Sequence, residues 1–589
     1  MRRRAGSGLR VVLAAMAAVL VVSGVVLVTG TAPEPDQTAQ QVRPARGGTL
    51  HLLTVRGRLQ HLDPQRDYVP EDIAFSSAYL TRTLTTYPVS PDARTATGVV
   101  PDLATDTGRP SDHARTWRFT LRPDVKFQDG SAITCADVRY GVSRSFATGT
   151  VTDGPVYALT MLDIPTRGNG APVYRGPYAG KHRHQAAFDK AVQCSKDDRT
   201  ITFHLSRPVG DFNQTVTLPA FSPVPRSADT GARYDLDPVS SGPYRVHDYQ
   251  PGDRLVLVRN PAWHRSTDSV RHAYPDSVVV HFGTDPRDIA ARLTSDDGDD
   301  QRALTMDPLD PVDARAITRR RAMSSRRVDA PDTVVTYLAV NTSRLTRLDQ
   351  RRAVAVALDR RRVLDVSSGG GHDRLADAMV EPSLMRDHTS TGVWSGLLGG
   401  AVPPDGDPAL ARRLLRSSGK PLRSVVLDYP RTPTNGRVAQ VVVASLARAG
   451  IRVERHPVAQ ADFYRMVLDP GREGDLCLVG WSADWPDAST VLPEMFTPSG
   501  SFDLSRVHDG AYAARAANAQ ATTDRSSAAR QWRHLDRDAV RQVWAVPLGF
   551  RHSTRLGGSK VGAASGPGRR VYVWAPYGAW PYTDLYVVP

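Results

Sequence analysis

The pattern of apolar positions divides the chain into an address and a body. Met1–Arg10 is short and cationic, and Val11–Ala32 is uncharged and mostly apolar. As a helix this run can cross a hydrocarbon core of ~30 Å. The flanking arginines would keep the N-terminus inside the membrane and put the rest of the chain outside. Two readings of residues 1–32 stand side by side. Gly30 and Ala32 supply small residues for a signal-peptide cut, whereas the length of the apolar run and Pro33 directly after it suit an uncleaved anchor. Pro33–Arg46 has no apolar periodicity and reads as a flexible tether. No second apolar run of comparable length follows, so the body is expected to be one exported, soluble unit.

Within the body, strand and helix periods alternate. Thr49–Thr54 reads as an opening strand. Trp117, Phe119 and Leu121 alternate with polar residues, as do Ile201, Phe203 and Leu205, the period of half-buried strands. Between them Thr134 precedes a helical run with Asp137 three residues on, a capping-box spacing. Leu255–Arg259 and Ser277–Phe282 are further strands. Asp349 is expected to cap one helix through Val366, with Val354, Leu358 and Val363 on its buried side. Asp407-Pro408 opens a helix through Arg416. Then Leu422–Tyr429, Arg437–Ala449, Ile451–Pro457, Gln460–Leu468 and Asp475–Trp481 follow as strand, helix, strand, helix, strand. That succession predicts an α/β domain with a largely parallel sheet. Ala528–Val543 is a last long helix before a strand at Ala545–Phe550.

Composition changes this picture little. The net charge is +14, with 75 Lys+Arg against 61 Asp+Glu. Part of the surplus lies in Arg2, Arg3, Arg4, Arg10, Arg43 and Arg46, opposed by Glu34 and Asp36 alone. The rest is scattered, so nucleic acid is not an expected partner. With 3 cysteines, the chain is no disulfide-rich scaffold. Export permits a Cys135–Cys194 bond, which flanks an inserted loop and would contribute roughly 3–4 kcal/mol through loop closure. Free thiols at both positions are the alternative. Cys477, in an apolar stretch, reads as a buried thiol.

Candidate chemistry is sparse. Ser417-Ser418-Gly419-Lys420 matches an acylating Ser-x-x-Lys motif but falls at a helix C-terminus, without its partner motifs. His182 and His184 lack metal-site spacing. The Gly-rich stretches Ser367–Gly371, Gly396–Gly400 and Gly562–Gly568 read as loops, not phosphate cradles. The informative stretch is Gly480–Asp487 (GWSADWPD) at the C-terminal end of an apolar strand, where open α/β sheets place ligands. Asp484 between Trp481 and Trp485 suits a cationic group held against aromatic faces. The competing reading makes both tryptophans core residues and Asp484 a turn or cap.

That stretch also carries a resemblance. In order along the chain stand Gly47-Gly48-Thr49-Leu50, Leu62-Asp63-Pro64, Thr116-Trp117-Arg118-Phe119, Val125-Lys126-Phe127-Gln128-Asp129-Gly130, Ser241-Gly242-Pro243-Tyr244, Arg259-Asn260-Pro261, Asn341 with Arg351–Ala355, and Gly480–Asp487. Together they resemble the extracellular solute-binding proteins of ABC importers, of the peptide/nickel-binding class. The resemblance runs from about 47 to 589. It implies an α/β, two-lobed periplasmic-binding-protein type II fold with an extra domain inserted in the first lobe. Lobe I would comprise 47–88, 218–332 and 546–589, the insert 89–217, and lobe II 333–545. It further implies a non-enzymatic, monomeric receptor that needs no cofactor, no metal and no catalytic residue. Such a receptor takes a peptide or similar amine-bearing solute at the extracytoplasmic face of the membrane and hands it to permease and ATPase subunits. In peptide-binding relatives the Asp of this motif pairs with the ligand's α-amino group. That position here is Asp484, with Trp481, Ser482, Ala483 and Trp485 beside it. The same fold binding a metal chelate, haem or oligosaccharide, a membrane-anchored sensor, and an exported hydrolase are the alternative readings.

Overall fold

The computed structural model describes residues 44–180, 184–367, 373–384 and 386–588. The apolar run at 11–32, the tether up to residue 43, and His182 therefore lie outside the described residues. No helix among the described residues is long and apolar enough to cross a membrane.

Three sheets organise the body. The first has the strand order Ala303–Thr305, Thr49–Leu53, Ser277–His281, Arg254–Arg259, Tyr244–Gln250. Thr49–Leu53 pairs parallel with both its neighbours, and the remaining pairs are antiparallel. The second is a small antiparallel sheet ordered Arg109–Ser111, Thr116–Thr120, Thr200–His204, Val192–Cys194. Its alternation is the one the sequence predicts: Trp117, Phe119, Ile201 and Phe203 point into the core. The third has the order Arg374–Leu375, Ala545–Leu556, Arg327–Val340, Leu476–Ser482, Ser424–Pro430, Arg452–Val458.

Only the βαβ end of that third sheet is parallel. Ser424–Pro430 runs parallel to both Arg452–Val458 and Leu476–Ser482. Beyond it, Arg327–Val340 pairs antiparallel with Leu476–Ser482 and with Ala545–Leu556. The expectation of a largely parallel sheet is thus corrected to a mixed one. Helix-strand alternation reports crossovers, and these two long strands enter the sheet from elsewhere in the chain.

Those two strands also join the lobes. The Val335–Val340 end and Ala545, Val546, Leu548 and Phe550 belong to the second lobe's core, whereas Leu556 packs with Leu53 and Ala303 of the first. Their register breaks between Pro331 and Val335. Pro331 has no N–H to give the ladder, which favours an irregularity at this point.

The hydrophobic core follows the same division. One continuous cluster runs from Leu50 and Leu52 through Trp117, Phe119, Ile201 and Phe203 to Trp580, so the insert and the first lobe share their interior. A second cluster, with Leu338, Val354, Leu427, Val442, Leu478 and Trp532, fills the other lobe. Trp485 is the exception. Its strand is rooted in the second lobe, yet its ring is buried in the first cluster.

Local signals behave as their chemistry requires. Thr134 and Asp137 form the capping box of helix Cys135–Arg144. Asp407 accepts from the Leu410 N–H at 2.8 Å at the start of Pro408–Ser417. Cys135 and Cys194 are disulfide-bonded, and Cys477 is free and buried. The single helix expected from Asp349 to Val366 is instead two, Leu348–Ala357 and Arg360–Ser367. Leu358 is extended, and Asp359 starts the second helix by accepting from the Arg362 N–H at 2.8 Å. Val354, Leu358 and Val363 are all buried, so the apolar period survived the break and concealed it. Gly562 lies in the strand Val561–Ala563, not in a loop.

Candidate functional site

Asp484 lies two residues beyond the end of strand Leu476–Ser482. Its neighbours are fixed one by one. The Trp481 indole N–H donates to the Thr490 carbonyl at 2.9 Å, and the ring lies 4.6 Å from Phe502. The Ser482 hydroxyl is 2.8 Å from that of Thr333, at the register break between the lobes. Ala483 is buried. The Trp485 indole N–H donates to Asp211 at 3.0 Å and to the Ser489 hydroxyl at 3.2 Å. Trp485 is therefore core, as one reading of the sequence has it, but core of the opposite lobe. Asp484 itself caps no helix.

The Asp484 side chain reaches two tyrosines from distant parts of the chain. The Tyr68 hydroxyl donates to its Oδ2 at 2.9 Å, and the Tyr157 hydroxyl donates to the same oxygen. The Tyr157 ring also packs on Trp485, with ring centres 4.7 Å apart. Tyr68 and Asp484 are half-buried and Tyr157 is buried. Two phenols neutralise no charge. Desolvation, with Glu494 nearby, pushes the Asp484 carboxyl up to about 7, against the opposing pull of the two phenol hydrogen bonds. Both phenols are in turn held well above their ordinary values, chiefly by burial and then by the Asp484 charge. The result is a carboxyl at the junction of the lobes, furnished with hydrogen-bond donors and, among the described residues, paired with no cation.

Around it the lobes are clasped by polar contacts. Gln214 donates to Asp487 at 3.2 Å, and Arg525 pairs with the same carboxylate. The Gly210 N–H donates to the Gln520 carbonyl at 2.6 Å. A Cβ at Gly210 would stand 2.4 Å from the Thr522 carbonyl oxygen, so only glycine permits this approach. Arg207 donates to the Gln520 side chain at 2.7 Å.

The sequence points to Asp484 and its motif but gives no sign of Tyr68, Tyr157, Asp211, Gln214 or Arg525 beside it. Tyr68 lies 416 residues from its partner and Tyr157 lies 327 away, and neither stands in a motif of its own. The other candidates settle as structural. Gly419, with φ +67°, ends the helix that holds Ser417. Among the described residues, the one group of three metal-type side chains is Cys135, Cys194 and Asp198, and its two sulfurs are bonded to each other.

Comparison with known proteins agrees with the fold. Among curated proteins, the oligopeptide-binding protein OppA of Escherichia coli is 23% identical over 476 residues, covering 77% of this chain and 80% of its own. The probable D,D-dipeptide-binding protein DdpA of the same organism is 23% identical over 410 residues, covering 67% of each chain. Among solved structures, the clavulanic acid biosynthesis oligopeptide binding protein 2 superposes with a TM-score of 0.83 at 30% identity, over 93% of this chain and 97% of its own. The unliganded open form of the murein tripeptide binding protein MppA gives 0.65 at 18%, over 93% and 99%. These neighbours carry the two-lobed periplasmic-binding-protein fold, and as binding proteins they are not enzymes. The family model for bacterial extracellular solute-binding proteins, family 5, matches residues 98–503, and the chain belongs to that family.

Proposed function

We propose that this chain is the extracytoplasmic receptor of an ABC importer for peptides. It takes a di- to oligopeptide between its lobes and delivers it to permease and ATPase subunits. The observation that carries the reading is the Asp484 carboxyl, held at the lobe junction by Tyr68 and Tyr157 and, among the described residues, paired with no cation. A peptide's α-ammonium supplies the missing charge, and its N–H donors suit the carboxylate oxygens. Trp481, Ser482, Ala483 and Trp485 set that carboxyl in place. Both lobes contribute to the site, so a ligand held there favours the closed arrangement by its differential affinity alone. The names of the relatives support peptide as the ligand class. The N-terminal apolar segment, as cleaved signal or as anchor, provides export. With domain borders drawn at 88, 217, 332 and 545, the strands Arg327–Val340 and Ala545–Leu556 each cross from one lobe to the other.

Calorimetry with peptide pairs that differ only in N-terminal acetylation tests the reading. Free-amine peptides are expected to bind, and their acetylated partners to bind at least ~10-fold more weakly. Equal affinity within pairs would remove the amine from the recognition.

A further inference from the structure

A second opening between the insert and the second lobe lies beside the Asp484 motif, past Trp485. It has a volume of about 570 Å³, and Pro486 and Asp487 form part of its wall. Four guanidinium groups line it: Arg94 from the insert, and Arg386, Arg525 and Arg533 from the second lobe. Two carboxylates line it as well, Asp387 and Asp487, each 2% exposed. The charge is therefore unbalanced in favour of cations.

Asp487 is engaged and Asp387 only in part, so the two offset at most two of the four cations. Asp487 accepts from Gln214 at 3.2 Å and from the Ser489 N–H at 3.0 Å, and it pairs with Arg525. Asp387 accepts from the Ala488 N–H at 2.8 Å through Oδ2, while its buried Oδ1 has no hydrogen-bond partner. The Nε–H of Arg525 is buried and likewise unpaired. Among the described residues, Arg94, Arg386 and Arg533 form no ion pair with a carboxylate. Arg533 gives one N–H to the Arg386 carbonyl at 3.1 Å, which brings these two side chains' anchor points together on one wall. Arg525 and Arg533 are half-buried and Arg94 and Arg386 are exposed; guanidinium groups gathered round a cavity in excess of its carboxylates suit an anion. The volume is that of a small-molecule site.

We propose that this cavity binds a carboxylate- or phosphate-bearing small molecule, held between Arg94 on the insert and Arg386, Arg525 and Arg533 on the second lobe. The bound anion bridges the two bodies and so favours their closure, as the amine site does, but from the other side of Trp485. The site stands on different residues from the amine site and does not rest on that assignment.

The test is titration of the full chain with citrate and with inorganic phosphate, at ionic strength held constant with chloride. Saturable binding of either is expected; which of the two binds says whether carboxylate or phosphate is the group recognised. Arg94→Gln and Arg533→Gln should each weaken it about tenfold or more, and Arg94→Glu should abolish it. Arg94 is exposed, so its variants should melt with the wild type. Asp484→Asn, which acts on the amine site, should leave anion affinity within about twofold. No saturable binding of either anion, or affinities unchanged by Arg94→Glu and Arg533→Gln, would overturn the proposal.

Discussion

Two regions of this molecule bury aspartates, and they do so in opposite ways. Beneath the first lobe, Asp102 and Asp268 meet Arg82 and Arg271, all almost wholly buried. Arg271 donates to both oxygens of Asp102 at 3.1 and 3.0 Å, Arg82 donates to Asp102 at 2.8 Å, and Arg271 reaches Asp268 at 3.2 Å. Burial alone would raise the Asp268 carboxyl, but Arg271 and Arg82 outweigh it and hold the group far below the ordinary carboxylate range. At the lobe junction Asp484 has phenols in place of guanidiniums, and there burial wins. Matched burial of charge is a structural device. Unmatched burial, at a junction two lobes share, leaves room for a ligand to complete the set.

The sharpest way to break this comparison is to unmatch the matched quartet. Asp102→Ala leaves Arg82 and Arg271 with a buried surplus of charge, and should cost about 3–5 kcal/mol of stability. Chemical unfolding of the full chain reads it directly. Asp484→Asn at pH 8 should cost nothing measurable in the same assay, because it removes a desolvated charge and keeps an acceptor for the phenols. If the two variants lose equal stability, the distinction between the regions fails.

In binding the ranking inverts. Asp484→Asn should weaken a free-amine peptide by about 1.5–3 kcal/mol, or one to two orders of magnitude. The conservative change keeps shape and hydrogen bonding, so the loss reports charge. Calorimetry should show no such loss for the N-acetylated peptide.

The two regions should also answer acid in opposite senses. Asp268, depressed in the fold, contributes stability above the ordinary carboxylate pKa that is lost as pH falls. Asp484, raised to about 7, binds its proton more tightly in the folded chain, so its contribution to stability declines as pH rises from ~4 to about 7. An ammonium ligand needs the ionised form and must displace that proton. Peptide affinity should therefore fall below pH 7, approaching about tenfold per pH unit. Calorimetry at pH 6 in buffers of different ionisation enthalpy should find close to one proton released per peptide bound. Affinity flat from pH 5 to 8 would contradict the raised carboxyl.

How much of this was legible in the sequence depends on the range of the interaction. Capping residues act over three positions, so Thr134 with Asp137 and Asp407 with Leu410 could be read directly. Strand alternation at Trp117–Leu121 is equally local. The break at Leu358 was not, because both helices present buried residues at compatible spacing and Asp359 caps as well as it continues. The sequence overstates the parallel sheet for a related reason. Arg327–Val340 and Ala545–Leu556 flank the βαβ run in sequence but sit at the middle of the sheet in space. At the site, the chain names the acid and hides its donors. Asp484 announces itself by the two tryptophans, whereas Tyr68 and Tyr157 acquire meaning only when the lobes meet.

The smallest effect should come from those donors, and it is the finest probe of what the site is. Tyr157→Phe keeps the ring against Trp485 and removes only the hydroxyl. The Asp484 carboxylate then loses one of two phenol donors, so its pKa should climb further. Peptide affinity at pH 7 should drop by about 0.5–1.5 kcal/mol, less than in Asp484→Asn. The pH below which affinity falls should move upward at the same time, and Tyr68→Phe should act in the same direction. A tyrosine that merely packed could lower affinity, but it would leave the pH midpoint where it was. Coupled movement of both quantities is what a hydrogen bond to the ionised carboxyl requires, and an unmoved midpoint in both variants would reduce the tyrosines to walls of the cleft.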